Sequence, residues 1–262
     1  MISNRDFYDR SNNNGARSRI KNTKRYSKAH NFIKACLIEE YVPEESKLLD
    51  LGCGKGGDFM KLKRKRLSLY YGVDLSDVCI NLAKERAINL QFPCSLKCDD
   101  FTNLKWQSCM FYDTVMAQFS IHYSFNSEKN ATHVLQGIYD SLKEGGLFIG
   151  CIPHSKNKPY ESVTLYDSEG NYTCEPCAGS ELKEKCMEVG FQVDLWMPFN
   201  DFYNGAKVQF ESLHKKMQVH HAPSYNWIFV FRKPSQAMDA ATYDSVVRKS
   251  ILPEGFIWAD EA

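Results

Sequence analysis

One run of residues constrains this chain more than any other: Leu48-Leu49-Asp50-Leu51-Gly52-Cys53-Gly54-Lys55-Gly56-Gly57-Asp58. An apolar strand feeds a glycine turn, and a helix-like stretch follows. Such a turn marks the switch point of a doubly wound sheet, where ligands settle beyond the strand ends. Glycine there lets the backbone approach a ligand with no Cβ in the way. Six further strand-like runs lie at 69–73, 94–98, 113–119, 147–152, 191–199 and 226–231. Helix-like stretches alternate with them. The first, over 30–41, puts Phe32, Ile33, Cys36 and Leu37 on one face and stops at Pro43. Others cover 77–90, 131–142 before the Gly145-Gly146 break, and 180–189 before Gly190. The alternation predicts an α/β, Rossmann-like fold, with a mostly parallel seven-stranded sheet and helices on both faces. Residues 154–180 have weak periodicity and many turn formers, so a loop or lid is expected there.

Composition narrows the class further. With 262 residues, 43% apolar and 25% charged, the chain can bury a core and is not a disordered polymer. No run approaches ~18 consecutive apolar residues, so no membrane span is expected. The N-terminus has no apolar stretch of the secretory kind. Of ten cysteines, several sit in apolar runs, as Cys36 and Cys151 do, which suits free thiols in a reducing compartment. Cys174-x-x-Cys177 is a single CxxC and Cys94 and Cys98 are four apart, whereas zinc sites usually need two close pairs with metal-like spacing, so no metal is expected. The sequons at Asn130 and Asn171 are accidental on this reading.

The net charge of +1 conceals a division. Residues 1–35 carry nine cations and two acids, a balance of +7, which leaves −6 for the rest. The expected organisation is a flexible basic arm over 1–28, a single catalytic-type domain over 29–233 and a tail of undefined structure over 234–262. The arm is either a solvated terminus or a segment that follows a phosphate backbone. A second basic run, Lys61, Lys63, Arg64, Lys65 and Arg66, either complements a helix C-terminus or extends that track.

Gly52, Gly54 and Gly57 also satisfy the GxGxxG pattern of dinucleotide folds. Asp50 argues for a different ligand. A pyrophosphate is disfavoured beside that carboxylate, whereas the sulfonium and ammonium of S-adenosyl-L-methionine suit it. No GxxxxGK[ST] loop is present. Asp74 ends the second strand 22 residues beyond Gly52, the usual place for a carboxylate that accepts from two ribose hydroxyls. Asp99 and Asp100 follow the third strand, where a carboxylate can accept from an adenine amino group. Gln118 ends the fourth, on the same edge. The expected cofactor is S-adenosyl-L-methionine.

Several longer motifs resemble the mRNA cap guanine-N7 methyltransferases. They are Arg17-Ser18-Arg19, 30–38 (HNFIKACLI), 49–58 (LDLGCGKGGD), 73–77 (VDLSD) and 117–125 (AQFSIHYSF). Leu142-x-x-Gly145-Gly146-x-Phe148-Ile149-Gly150 with Pro153, then Phe199-x-Asp201-Phe202-Tyr203, and 225–231 complete them. The resemblance covers most of 17–233 and implies a class I, S-adenosylmethionine-dependent fold. It implies that Lys34 meets the cofactor carboxylate, Gly52 its amino group, Asp74 the ribose and Asp99 the adenine. Asp100, Gln118 and Tyr123 complete the expected cofactor set. His122, Tyr123, Glu175 and Tyr225 match the cap-guanine pocket, with Glu181 the alternative to Glu175. Asn31, Lys55 and Arg86 fall where the family contacts the cap and its phosphates.

Guanine N7 carries a lone pair and no proton, so the implied transfer needs no general acid or base. The implied substrate is 5′-capped mRNA. The implied partners are other capping enzymes or an activating subunit, and the implied setting is a nuclear monomer away from membranes. Two other readings remain open on sequence: a class I methyltransferase for another RNA, a protein or a small molecule, and a non-catalytic module that binds capped RNA.

Overall fold

A computed structural model describes residues 21–106, 111–153, 162–166, 172–176, 181–219 and 226–235, with residues 3, 5–6 and 9 near the N-terminus; for 21–27, 162–166 and 172–176 it gives the backbone alone. In chain order the strands are β1 (Lys47–Leu51), β2 (Leu69–Asp74), β3 (Ser95–Cys98), β4 (Tyr112–Gln118), β5 (Leu142–Pro153), β6 (Ser162–Tyr166), β7 (Tyr172–Pro176), β8 (Gln192–Pro198) and β9 (Asn226–Arg232). The helices are α1 (Lys21–Tyr41), α2 (Phe59–Leu62), α3 (Asp77–Leu90), α4 (Glu128–Ser141), α5 (Glu181–Val189), α6 (Phe199–Gln209) and α7 (Glu211–Met217).

Seven strands form one sheet in the order β3-β2-β1-β4-β5-β9-β8. The β1–β5 pairs are parallel, and β9 alone runs against its neighbours β5 and β8. The chain winds outward from β1 to β3 and then returns to β4 on the other side of β1. The switch point expected from the glycine turn therefore lies between β1 and β4.

Strand alternation divides the core between the two faces. Leu48 of β1 joins Phe32, Ile33 and Leu37 of α1, Ile80 and Ala83 of α3, and Phe202 of α6. Leu49 and Leu51 face the other way, onto Val134, Leu135 and Ile138 of α4 and Leu182 and Cys186 of α5. Both layers are apolar because both sheet faces are covered, as parallel strands require. Serine caps fix where two of the helices start. Ser76 Oγ accepts from the Cys79 amide at 3.0 Å, and Ser127 Oγ from the Asn130 amide at 3.2 Å.

The expected strands and the helix at 77–90 agree with the structure to within a few residues. Four features differ. Helix α1 begins at Lys21, so residues 21–28, expected in a flexible arm, are helical. The segment expected as a loop or lid contains the antiparallel hairpin β6–β7. The helix after the glycine turn lasts one turn and passes into a 3-10 turn at Lys63–Lys65. Gly145-Gly146 closes no helix: Tyr112 pairs Leu142 and Thr114 pairs Leu147, so residues 143–146 bulge out of β5.

At Gly150 the sheet leaves no room for a side chain, since a Cβ would lie 2.1 Å from the Ala117 carbonyl oxygen. Gly150→Ala should cost about 3 kcal/mol in a denaturant titration, because the strand backbone itself must move.

Asp50 sits in the middle of this packing rather than at its edge. It is 4% exposed and accepts a 2.7 Å hydrogen bond from the Tyr70 hydroxyl. Burial pushes its carboxyl up to about 7 against the pull of that hydrogen bond. Between the ordinary carboxylate value of 3.8 and 7, the folded chain holds a proton here that the unfolded chain has released. This group's contribution to stability therefore falls as pH rises through that window. His30, pushed down to about 4 by burial and by the charge of Lys34, has the opposite sign over nearly the same range. Asp50→Asn removes the first effect and keeps the second. Its stability relative to the native chain should rise from pH 4 to 7 by up to about 1.4 kcal/mol per pH unit. Urea unfolding at each pH measures this, and a pH-independent difference would contradict a buried, protonated Asp50.

Candidate active site

The glycine turn is pinned to β2 before any ligand arrives. The Gly52 and Cys53 amides both donate to the Val73 carbonyl, at 2.8 and 3.1 Å. Asp74 Oδ2 accepts from the Gly54 amide at 2.7 Å and Oδ1 from the Ser76 amide at 3.0 Å. Burial pushes the Asp74 carboxyl up, while these two amides pull it down. Gly52 itself must be glycine on two counts. Its φ is +77°, and a Cβ would lie 2.4 Å from Ser120 Cβ. Ser120 follows β4, and its hydroxyl donates to the Leu51 carbonyl, so the ends of β1 and β4 close on each other.

A cleft of about 310 Å³ opens at this point, within the range of small-molecule sites. Gly52, Gly54, Asp74 and Leu75 line one side; Asp100, Phe101 and Thr102 line another; Phe119, Ser120, Tyr123 and Asn126 close it. Among the described residues the lining holds two carboxylates and no lysine or arginine. That balance suits a cationic ligand and opposes a pyrophosphate. Each Asp74 oxygen keeps a second lone pair after accepting its backbone amide, enough to receive a pair of vicinal hydroxyls.

The structure places some expected residues in this cleft and others elsewhere. Gly52, Asp74, Asp100 and Tyr123 line it. Asp99 does not: its carboxylate is 2.6 Å from Lys97 Nζ, and that hydrogen bond holds it below the usual carboxylate range. Asp100 is itself engaged, accepting from the Thr102 amide and hydroxyl and from the Asn103 amide nitrogen. Gln118 ends β4 with both side-chain amide atoms buried and unpartnered among the described residues.

Lys34 is committed to Asp58, 2.9 Å away, and is not part of the cleft lining. Burial works against its charge, but Asp58 outweighs burial and raises its pKa. Asp58 is buried too, and also holds Lys61 at 2.6 Å; the two cations keep its carboxyl low despite burial. Lys61 in turn donates to Asn31 Oδ1 at 3.2 Å.

His122 and Tyr123 lie on the 3-10 turn Ile121–Asn126 with ring centroids 4.3 Å apart. Tyr123 lines the cleft, whereas His122, 2% exposed, is not among the described residues that line it. Strand β7, which carries Glu175 opposite Val163, runs beside this turn. The alternative, Glu181, starts α5 where it packs on α4, and burial beside Glu184 raises its pKa. Asn31 and Arg86 line a separate groove on the far side of the glycine turn. Lys55 lies in the turn between cleft and groove. Tyr225 lies outside the described residues, as do Arg17 and Arg19.

Other residues at the cleft had no individual role assigned from sequence. Phe119 lines the cleft with φ +61°, a conformation rare for a bulky residue. Its ring stacks on His30 at 5.0 Å, and Asn226 Nδ2 lies 2.9 Å from His30 Nε2. At the N-terminus, Arg5 lies 3.3 Å from the Asp77 carboxylate, and the Ser76 hydroxyl donates to Asp9. Part of the basic arm is thus bound at the start of α3, beside the cleft.

Comparison with known proteins agrees with this arrangement. The model of the mRNA (guanine-N(7))-methyltransferase domain matches residues 3–161. The mRNA cap guanine-N(7) methyltransferase of Saccharomyces cerevisiae is 36% identical over 138 residues, 48% of this chain and 32% of that protein. The Cryptococcus neoformans protein of the same description is 34% identical over 141 residues, 49% of this chain and 23% of that one. The chain spans between 20% and 53% of the length of the curated relatives it matches. Among solved structures, a putative S-adenosylmethionine-dependent methyltransferase from Listeria monocytogenes superposes with a TM-score of 0.59 at 16% identity, over 82% of this chain and all of that one. The fold is that of the class I methyltransferases, and the chain belongs to the mRNA (guanine-N7)-methyltransferase family.

Proposed function

We propose that this chain transfers the methyl group of S-adenosyl-L-methionine to N7 of the guanine cap of mRNA. The observation that carries the reading is the position of Tyr123. It lines the acidic cleft and at the same time packs on His122, so one aromatic pair joins a cofactor site to a base site. Family membership supports the cap as substrate.

S-adenosylmethionine, when bound, supplies a methyl group on a positively charged sulfur. Asp74 receives the ribose hydroxyls, and the Asp100–Thr102 turn borders the adenine. The Gly52 turn takes the amino acid end of the cofactor, where the absent Cβ leaves space. His122 and Tyr123 wall the guanine, and Glu175 on the adjacent hairpin strand accepts from guanine N1 and N2. Asn31, Lys55 and Arg86 meet the cap and its phosphates.

The guanine N7 lone pair attacks the methyl carbon in line with the departing sulfur. N7 has no proton to lose, so no side chain has to take one. The chain's contribution is to hold nucleophile and methyl group in register, and orientation of this kind is worth up to ~7–11 kcal/mol. The same reading implies a nuclear setting and work beside other capping activities or an activating subunit.

Incubation with radiolabelled S-adenosylmethionine and GpppG, followed by nuclease digestion, tests the reaction. Label on guanine N7 is expected; label at any other position, or none, overturns the proposal. His122→Ala should lower turnover roughly 100-fold through lost alignment while S-adenosylmethionine affinity by calorimetry holds. Asp74→Ala should instead abolish cofactor binding.

A further inference from the structure

The groove beyond the glycine turn holds more positive charge than the cap alone uses. It encloses about 700 Å³. Its floor is apolar, formed by Met60 of α2 with Leu213 and Met217 of α7. Met60 is 56% exposed, an unusual place for a large apolar side chain in a charged surface. Arg64, Arg86 and Lys216 line it together with these apolar side chains. Among the described residues, no acidic one lines the groove.

The cations differ in how far they are already occupied. Lys61 is held by Asp58 at 2.6 Å, and Lys63 Nζ donates to the Leu90 carbonyl. Arg64 makes only a loose 3.8 Å pair with Glu39, both side chains being exposed. Arg86 and Lys216 have no ion pair among the described residues. Such exposed, unsaturated cations are available to phosphate. On α1, Lys28 is exposed one turn before Asn31, which itself borders the groove. Lys28 thus adds one further exposed cation on α1.

We infer that this groove receives the first nucleotides of the RNA downstream of the cap, with Arg64 and Lys216 on its phosphates and Met60 beneath its bases. The inference rests on the reading of the chain as a cap methyltransferase, because that reading puts the cap phosphates at Lys55 and Arg86. Gly57 of the turn lines the groove together with Asn31 and Arg86, so the cap-contact residues and the further cations share one surface. A single strand presents phosphates and base faces together, and the groove offers cations around an apolar floor. An acidic amphipathic protein segment is the competing occupant. Continuity with the cap phosphates favours RNA.

The test uses the full chain and the double variant Arg64→Glu, Lys216→Glu, two exposed positions outside the cofactor and cap sites. Substrates are the dinucleotide GpppG and a capped ten-nucleotide RNA. Native KM should be lower for the capped RNA than for GpppG. In the variant, KM for the capped RNA should rise roughly tenfold at 0.1 M salt while kinetics on GpppG stay unchanged. Fluorescence anisotropy of the labelled capped RNA should show the slope of log affinity against log salt reduced by about 1.4, from two lost contacts at ~0.7 each. Equal losses on both substrates, or no loss on either, would overturn the inference. So would a native KM that does not depend on RNA length, and the groove would then belong to a protein partner. If the native chain binds the RNA with the expected salt slopes but does not methylate GpppG at N7, the proposed reaction fails and the groove assignment stands.

Discussion

The Asp74 carboxylate is the tie on which the site depends. One oxygen holds the Gly54 amide of the turn after β1, the other the Ser76 amide that opens α3. Two separate segments of chain are thereby fixed to the end of β2. Burial raises the cost of this charge, and the backbone donors offset that cost. In the proposed cofactor site a ribose diol would add two further donors to a carboxylate that is already oriented. Little reorganisation is then left for binding, which is where affinity is usually lost.

Behind that tie lies a second layer of charge that no ligand needs to touch. Asp58 holds Lys34 on one side and Lys61 on the other, and Lys61 reaches Asn31. This chain of contacts runs from the interior beneath the cofactor turn to the rim of the basic groove. A buried pair of this kind is weak evidence for stability, since desolvation consumes much of the attraction. Its effect is positional. Helix α1, which carries Lys34 and Asn31, is locked to the turn that carries Asp58, so the two candidate ligand surfaces share one rigid boundary.

Much of this was legible in sequence where backbone spacing decides the outcome. Asp74 falls at a strand end a fixed distance from Gly52, and sheet geometry allows it few other places. The glycine turn, the seven strands and α3 follow from periodicity and stop signals in the same way. Partner choice was not legible. Asp99 and Asp100 are equivalent as residue types, and only the third dimension shows that Lys97 takes the first and leaves the second at the cleft. Lys34 reads as a free cation until Asp58 is seen beside it. Helix α6 was hidden because Phe199 reads as the end of the preceding strand, although Phe199, Phe202, Tyr203 and Ala206 stand at helical spacing. The β6–β7 hairpin was missed because its short strands lie among turn formers.

The proposed reaction has no proton to move, and that puts an unusual demand on the fold. There is no catalytic pKa to tune, so rate must come from alignment, and alignment requires stiffness. Phe119 shows how that stiffness is obtained. Its backbone sits at φ +61°, a conformation that costs on the order of 1 kcal/mol or more. The surroundings hold it there: its amide donates to the Cys151 carbonyl at 2.8 Å, and its ring stacks on His30 and meets Phe199 edge-on at 5.9 Å. The turn that follows presents Ser120 to Gly52 and Tyr123 to the cleft. A more relaxed residue at this bend would release strain but also loosen the one segment that touches both sites. Strain here is a consequence of fixing two ligand surfaces with a single turn of chain.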